Sequence, residues 1–324
     1  MAYSAQVLRM AREELTRQKS DFESLYNHRL HEAYLQVPRL RQIDMQLRQT
    51  VTLAAQAAFV KGEDGVAALA EVKKTNLSLQ EERKQLLEQN FAPGYLDKDT
   101  VCPYCGGVGY VGSTMCSCLK ELCRQAQQQV ISKLTTGVER FENFRLDYYP
   151  EELDPVFKVS PRKLMERTLQ VCKKYAENFD GKGNLLFVGG TGLGKTFLSA
   201  CIANAVADQG YSIAYESASA LFDKLNRHHF APDEQTRQQV DSIQSADLLI
   251  IDDLGTEMTN QFVISALYSL LNDRLLQGKS MIISTNLNVE EITRRYSPQI
   301  ASRVQGCFKA LTFLGKDIRV TRGV

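Results

Sequence analysis

The sequence predicts an α/β fold in its second half, a parallel β-sheet covered by helices on both faces. A helical region and a small cysteine-rich module precede it. Three observations lead to this prediction. Short apolar runs alternate with helical stretches after about residue 158, residues 1 to about 90 are rich in helix-forming residues, and four of the eight cysteines lie between residues 102 and 118. Continuous aliphatic runs are typical of parallel strands buried on both faces.

Composition sets limits on location and partners. The 324 residues, 44% hydrophobic and 24% charged, are ordinary for a soluble protein of two domains. No stretch approaches the roughly 18 to 20 apolar residues of a membrane span, and the charged start lacks the apolar run of a secretory signal. We therefore expect a cytoplasmic protein with no membrane partner. The 39 basic and 38 acidic residues nearly balance, so any DNA contact must be local, weak or shared by several subunits.

Residues 1–95 are predicted to form a helical, partner-binding region. Apolar residues recur there at steps of three, four and four, which places them on one helical face: Leu40, Ile43, Leu47 and Val51. A break at residues 61–65 precedes a third helix with apolar positions Leu69, Val72, Leu79 and Leu86. The pattern predicts a helical hairpin or small bundle. It leaves open whether the apolar face packs on its own neighbours or binds a partner.

Residues 96–135 are predicted to form a zinc-binding module. In a reducing compartment, clustered cysteines indicate a metal rather than a disulfide. Cys102 and Cys105 form a C-x-x-C knuckle, glycines follow, and Cys116 and Cys118 supply a second pair. Four thiolates without a nearby histidine or carboxylate are typical of structural Zn²⁺. Cys123 is an alternative to Cys118 as the fourth ligand.

Residues 136–160 are predicted to be a linker that packs against the protein, because flexible linkers are richer in glycine and serine. Residues 161–324 form the predicted α/β domain. Its five strands are expected at Leu185–Val188, Ser212–Tyr215, Leu248–Ile251, Met281–Ser284 and Ala310–Phe313.

A nucleotide-binding motif follows the first of these strands. The segment GGTGLGKT fits G-x-x-x-x-G-K-[ST] and leads into a helix, which is the context that this loop requires. Lys195 is expected to reach the β and γ phosphates of ATP or ADP, and the Thr196 hydroxyl to bind Mg²⁺. The predicted nucleotide-contacting residues are Gly189, Gly190, Thr191, Gly192, Leu193, Gly194, Lys195, Thr196, Phe197 and Asp252.

Carboxylates and an amide end two later strands. The strand LLIIDD places Asp252 to hold Mg²⁺ through water and Asp253 to orient or deprotonate the attacking water. The shorter Asp253, in place of the common glutamate, predicts slow hydrolysis, and Glu257 is a second candidate base. Asn286 could hydrogen-bond the γ-phosphate or the water, although asparagine after a strand is also ordinary turn chemistry.

These motifs, in this order, resemble those of the AAA+ ATPases. Residues 140–324 more narrowly resemble the DnaC/DnaI-type bacterial helicase loaders and the related IstB transposition helpers. The resemblance is carried by NLLFVGGTGLGKTFLSACIANAV, LLIIDDLGTE, ALYSLLNDRLLQGKSMIISTNL, ASRV and GKDIRV. The helical region, PGYL and C-x-x-C-G-G-x-G together resemble the N-terminal half of Firmicute-type loaders, which implies a zinc-stabilised head that holds the helicase.

The resemblance also implies site residues. Arg303 is expected to be an arginine finger that reaches a neighbouring subunit's nucleotide, and Arg319 a sensor arginine in catalysis; each could instead be an ordinary surface residue. Only eleven residues follow Phe313, so we expect no C-terminal lid. Basic and aromatic residues suited to single-stranded DNA recur on one helix, where a merely solvated face is equally compatible: Phe222, Lys224, Arg227 and His228.

The implied function is a slow, partner-stimulated ATPase that binds a hexameric DnaB-type replicative helicase, assembles on it as an oligomer and delivers it to single-stranded DNA. The alternative is a transposition helper that binds duplex DNA and a transposase. A P-loop small-molecule kinase is disfavoured because no acceptor site is evident. An adaptor with a degenerate ATPase is disfavoured because Lys195, Thr196 and Asp252 are intact.

Overall fold

The computed structural model describes residues 3–59, 63–134 and 138–321. These residues fall into two compact units. The smaller is Glu14–Gly112, and the larger combines the residues before Glu14 with those from Ser113 onward. These units do not follow the predicted domain limits, which stay predictions. Within the described residues, we find no helix with the length and apolar character needed to cross a bilayer.

The smaller unit is helical, as predicted. Helix α1 (Ala5–Gln36) contributes most of its length to this unit, and α2 (Pro38–Phe59) and α3 (Glu63–Asn90) form an antiparallel pair. Ion pairs join the two helices: Arg39 with Glu82, and Arg83 with Asp44.

One position on α2 differs from the prediction. Leu40 and Ile43 are buried, but Val51 is 69% exposed and Thr50 is buried instead. Thr50 lies one turn after Leu47, and its hydroxyl accepts a hydrogen bond of 2.6 Å from Asn76 Nδ2 on α3. Thr50, a polar residue, therefore occupies the inward position that the apolar pattern predicted for Val51.

The larger unit is an α/β fold with a five-stranded parallel sheet, which confirms the predicted fold class. Two short strands, β1 (Tyr110–Val111) and β2 (Thr114–Met115), lie on either side of the boundary between the units. The strands of the large sheet are β3 (Leu185–Val188), β4 (Ile213–Ser217), β5 (Leu248–Leu254), β6 (Ser280–Thr285) and β7 (Lys309–Thr312). The helices are α4 (Ser117–Leu134), α5 (Pro161–Glu177), α6 (Lys195–Asp208), α7 (Ala218–Phe230), α8 (Glu234–Ser245), α9 (Gln261–Leu276), α10 (Val289–Arg295), α11 (Pro298–Cys307) and α12 (Ile318–Thr321).

The strand order is β4-β5-β6-β3-β7. The chain passes from β3 to the far edge at β4, returns through β5 and β6, and then crosses β3 to reach β7. Parallel α/β sheets bind ligands beyond the carboxyl ends of their strands, where the direction of winding reverses. The loops after β3, β5 and β6 are therefore the expected place for a site.

Alternation along the strands divides the core into two layers, one on each face of the sheet. Leu185 and Phe187 pack in the layer that includes α5 and α6, whereas Leu186 packs in the layer that includes α7 and α9. Side-chain caps set the starts of several helices. Asp233 with Thr236 begins α8, and Asn288 with Glu291 begins α10, each as a reciprocal capping box.

Candidate nucleotide site and cysteine cluster

The loop between β3 and α6 has a backbone that only glycine suits at two positions. Gly194 caps α6 with φ of +86°, and a Cβ there would lie 2.8 Å from the Tyr149 hydroxyl. Gly192 has φ of +72°, and a Cβ there would lie 1.8 Å from an Asp317 carboxylate oxygen. The loop therefore leads straight into the amino end of a 14-residue helix, where exposed N–H groups and the helix dipole favour an anion.

Lys195 and Asn286 meet at this loop. Lys195 Nζ donates to Gly189 O at 2.8 Å, to Gly190 O at 2.7 Å and to Asn286 Oδ1 at 2.6 Å. Burial lowers the pKa of Lys195, while the carboxylates of Asp253 and Asp252 act in the opposite direction. The residue after β6 thus contacts the amine expected to bind phosphate, and the predicted role of Asn286 toward the γ-phosphate or the water stays a prediction.

The two aspartates lie on a β-bulge. Ile251 of β5 pairs with Ile283 of β6, but the next pairing is Leu254 with Thr285, so Asp252 and Asp253 together oppose one residue. Asp253 has φ of +55°, in the left-handed region. Successive residues of a regular strand point to opposite faces, and a bulge redirects one of them. Both carboxylates raise the pKa of Lys195.

Asp252 is the buried member of the pair, at 7% exposure. It accepts hydrogen bonds from Ser284 Oγ and, at 3.4 Å, from the Tyr215 hydroxyl, and it also bonds with the Thr196 side chain. Burial raises the pKa of Asp252, and these hydrogen bonds, Ser284's foremost, lower it in part. A threonine hydroxyl beside a carboxylate is a donor set that suits Mg²⁺. Thr196 and Asp252 are thus the residues that could hold the ion.

Aromatic residues before α5 form the other wall of the site. A cavity of about 450 Å³ is lined by residues 191–197, Asp253 and Arg319, and also by residues 143–145, Tyr148, Tyr149 and Ile318. The Phe144 ring lies 5.8 Å from that of Phe197, between centroids. An aromatic, partly apolar wall beside a phosphate loop fits a planar base. This stretch lies within the predicted linker, and its unusual density of aromatic residues was the sequence signal for a contribution to the cavity.

The two predicted arginines occupy different places. Arg319 lines the cavity, and its charge contributes to lowering the pKa of Lys195. Arg303 does not line the cavity. Its Nη2 donates to the Tyr268 hydroxyl at 2.7 Å and to Asn272 Oδ1 at 3.1 Å, with the guanidinium 4.3 Å from the centre of the Tyr268 ring.

Glu257, the second candidate base, is engaged elsewhere. Its carboxylate accepts hydrogen bonds from Gly255 N at 2.9 Å and from the Tyr296 hydroxyl, and Arg295 donates to its backbone oxygen at 2.6 Å. These contacts tie the loop after β5 to α10. Asp253 is consequently the carboxylate that remains available to the cavity.

The proposed DNA residues on α7 require one correction. Phe222 is 4% exposed and packs in the core, so the prediction that its ring stacks on DNA bases is wrong. Lys224 Nζ pairs with Glu216, while Arg227 is exposed in the last turn of the helix beside His228. The exposed aromatic residue nearby is Phe230, at 71%. DNA contact through α7 stays a prediction.

The four predicted zinc ligands lie together. The sulfur atoms of Cys102, Cys105, Cys116 and Cys118 are all within 4.8 Å of one another. Gly109 N donates to Cys105 Sγ at 3.2 Å, as expected for a sulfur that carries charge. Tetrahedral zinc with bonds of about 2.3 Å needs sulfur separations of about 3.8 Å, so this cluster could hold the ion.

Cys123 is outside the cluster. It is fully buried, and burial raises the pKa of its thiol to about 11. Cys123 Sγ is not among the four sulfur atoms that lie within 4.8 Å of one another. The geometry therefore selects Cys118 over Cys123.

Comparison with known proteins relates the ATPase half, the α/β part of the chain after the cysteine cluster, to a family. A model of the family described as "IstB-like ATP binding protein" matches residues 152–301. Replicative helicase loader DnaC of Escherichia coli strain K12 is 23% identical over 138 residues, which are 42% of this chain and 56% of that protein. Residues 152–301 therefore match an IstB/DnaC-family ATP-binding domain. The family assignment implies ATP binding, and nucleotide of this kind usually binds with Mg²⁺.

Two further similarities were found. The ATP-binding protein of insertion sequence IS1162 from Pseudomonas fluorescens is 29% identical over 104 residues, or 32% of this chain and 44% of that protein. A crystal structure of the DnaC helicase loader, 20% identical, aligns with a TM-score of 0.45 over 54% of this chain and 98% of that one. The IstB/DnaC match thus spans about half the length of the two relatives compared by sequence, and the matched residues 152–301 begin after the cysteine cluster.

Two substitutions should separate nucleotide binding from hydrolysis. Lys195→Ala should weaken ATP binding about 100-fold or more, because it removes a charged donor to two phosphates. Asp253→Asn should leave ATP affinity near the parental value and slow hydrolysis roughly 100-fold or more, as expected for loss of a general base. Fluorescent-nucleotide titration and phosphate release measure the two effects. A parental hydrolysis rate in Asp253→Asn would exclude Asp253 as the base.

The cysteine cluster should bind one zinc ion per chain. Cys102→Ser combined with Cys105→Ser should lose the metal, because a structural site contributes on the order of 10 kcal/mol through its full thiolate set. Cys307→Ser, at an exposed cysteine outside the cluster, is the matched control and should keep it. Elemental analysis measures the zinc content of each variant. Nucleotide titration checks that each variant still binds ATP. Retention of zinc by the double variant would contradict the assignment.

Proposed function

We propose that this protein is an ATP-dependent loader that binds a replicative DNA helicase, a hexamer of the DnaB type, and delivers it to single-stranded DNA at the initiation of replication. The observation that carries the proposal is the contact of Asn286 with Lys195, because it links the end of β6 to the phosphate-binding amine. Such a contact suits a switch that responds to the γ-phosphate. The similarity of the ATPase half to the loader DnaC supports the same reading.

Hydrolysis would follow from the positions of the side chains. Lys195 and the amino end of α6 would bind the phosphates, and Thr196 with Asp252 would hold Mg²⁺, which would neutralise phosphate charge. Asp253 takes the proton of the attacking water, and Asn286 orients the water or the γ-phosphate. An aspartate reaches less far than a glutamate, so slow hydrolysis is expected until a partner or DNA adjusts the site.

Arg303 would complete the site of a neighbouring subunit. It lies outside its own cavity, held by Tyr268 and Asn272, with its guanidinium already oriented. A second guanidinium at the γ-phosphate stabilises the charge that builds up there during hydrolysis. Assembly on the helicase would therefore raise the ATPase rate.

The helical unit and the cysteine cluster would form the docking head. The helices of Glu14–Gly112 expose large apolar side chains, among them Leu35, Met45 and Val51. Zinc would fix the fold of the adjoining loop, which has few apolar residues of its own. Docking and nucleotide switching would thus be carried by different parts of the chain.

A transposition helper is the second candidate, favoured by the family description and by the relative from an insertion sequence. In that case the partners would be duplex DNA and a transposase. The cysteine cluster favours the loader, since it resembles the module of Firmicute-type loaders and IstB helpers typically lack it.

The loader proposal is tested by capture of a helicase. The full-length protein should co-elute with the hexameric replicative helicase of its own host, or of its host's replicon, on size exclusion. The Cys102→Ser, Cys105→Ser variant should lose this association while Cys307→Ser retains it. Binding of a transposase with no retention of helicase would favour the second candidate.

Arg303 should act in trans. Arg303→Ala and Lys195→Ala should each be inactive alone, because one lacks the finger and the other the pocket. Mixed at equal amounts with helicase present, they should recover roughly a quarter of parental activity if pairing at interfaces is random, since one subunit then supplies what the other lacks. Absence of recovery in mixtures shown to co-assemble would contradict an intersubunit finger.

A further inference from the structure

A single residue of β6 stands opposite the two aspartates. The pairings Ile251 with Ile283 and Leu254 with Thr285 leave Ser284 facing Asp252 and Asp253. Ser284 is completely buried, at 0% exposure. Its side chain is therefore the group of β6 placed to replace backbone bonds that the bulge removes.

The Ser284 hydroxyl bonds to both aspartates at once. Asp253 N donates to Ser284 Oγ at 2.9 Å, and Ser284 Oγ donates to Asp252 Oδ1 at 2.5 Å. A hydroxyl has one hydrogen to donate and lone pairs to accept, so it can serve both contacts together. Without it, the Asp253 N–H would be a backbone donor with no ladder acceptor, which costs free energy in a buried place.

The neighbouring residues act on other parts of the same edge. Thr285 Oγ1 donates to Leu254 O at 2.6 Å, which closes the far side of the bulge. Asn286 contacts Lys195. Three consecutive residues thus have separate contacts. Ser284 bonds to the two aspartates, Thr285 to β5 and Asn286 to Lys195.

We propose that Ser284 is the positioning residue that gives two adjacent aspartates different tasks at one phosphate site. By accepting from Asp253 N, it holds the left-handed backbone that turns the Asp253 carboxylate toward the cavity. By donating to Asp252 Oδ1, it holds the carboxylate that also bonds with the Thr196 side chain and that could hold the metal. The inference rests on the proposed ATP hydrolysis and is independent of helicase loading.

Ser284→Ala tests the proposal, with Ser280→Ala as a matched control. Ser280 lies on the same strand, is equally buried and is at the end of β6 remote from the carboxylates. Mg²⁺ should strengthen the binding of fluorescent ATP, and the Mg²⁺ concentration that gives half of this effect should rise roughly tenfold in Ser284→Ala. A change of this size is expected because one hydrogen bond to a charged group is lost. The hydrolysis rate should fall by roughly tenfold or more for the same reason. ATP affinity without Mg²⁺ should change less than about twofold, because the phosphate loop is untouched.

Two further variants separate positioning from packing. Ser284→Thr keeps the hydroxyl and should restore most of the Mg²⁺ dependence. Adding Asp252→Asn to Ser284→Ala should weaken Mg²⁺ binding little beyond Asp252→Asn alone, since residues that act through one another are not additive. Urea unfolding of every variant checks that the fold is retained.

The outcomes distinguish this inference from the proposed function. Parental Mg²⁺ dependence and parental hydrolysis in Ser284→Ala would overturn the role of Ser284 alone. Additive effects of Ser284→Ala and Asp252→Asn on Mg²⁺ binding would also overturn that role. So would a loss of Mg²⁺ binding that follows a lower unfolding midpoint and does not recover in Ser284→Thr, because Ser284 would then act through packing. A parental protein that binds ATP and Mg²⁺ without hydrolysis, with helicase and DNA present, would contradict the proposed function, while the Mg²⁺ measurement would still test Ser284.

Discussion

The pairing of β5 with β6 is the constraint on which the site depends. One extra residue in β5 breaks the regular alternation of side chains at Asp252 and Asp253, and both carboxylates raise the pKa of Lys195. Sheet order then places β3 next to β6, so the phosphate loop after β3 and Asn286 after β6 meet above the same edge. A regular β5 would turn one of the two carboxylates away from Lys195, and the metal ligand and the base could not share one phosphate.

The cavity is assembled from segments far apart in the chain. The phosphate loop and α6 supply anion binding, the ends of β5 and β6 supply carboxylates and the amide, and the aromatic segment before α5 supplies a wall for the base. Arg319 approaches from the last described helix, whereas Arg303 faces elsewhere. Under the proposed function, one chain binds the nucleotide and a neighbouring chain completes the catalytic site.

Much of the α/β half could be predicted because its signals are local. Buried parallel strands are continuous aliphatic runs, so the five predicted strands lie within a few residues of the observed ones, as with Ser212–Tyr215 against Ile213–Ser217. The glycine spacing of the phosphate loop likewise determines its backbone. The C-x-x-C and C-x-C spacing also limited the choice of ligands, although separating Cys118 from Cys123 required coordinates.

The remaining features depend on tertiary contacts. Phe222 belongs to a helix with basic residues, and nothing in its spacing tells that the ring faces the sheet. Thr50 is inward because Asn76, on another helix, supplies its hydrogen-bond partner. The aromatic residues near Tyr149 line the cavity only because that segment folds back on the phosphate loop, where the Tyr149 hydroxyl donates to Leu193 O at 2.9 Å. The bulge, too, is a mismatch between two strands and has no signature within either.

Electron paramagnetic resonance of Mn²⁺, used in place of Mg²⁺ with a non-hydrolysable ATP analogue, tests most directly the claim that the bulge gives the two aspartates separate tasks. Asp252→Asn should weaken nucleotide-dependent Mn²⁺ binding by roughly tenfold or more, because the negative charge that would hold the ion is lost. Asp253→Asn should bind Mn²⁺ as the parental protein does. Equal weakening in the two variants, or a larger effect in Asp253→Asn, would contradict the account.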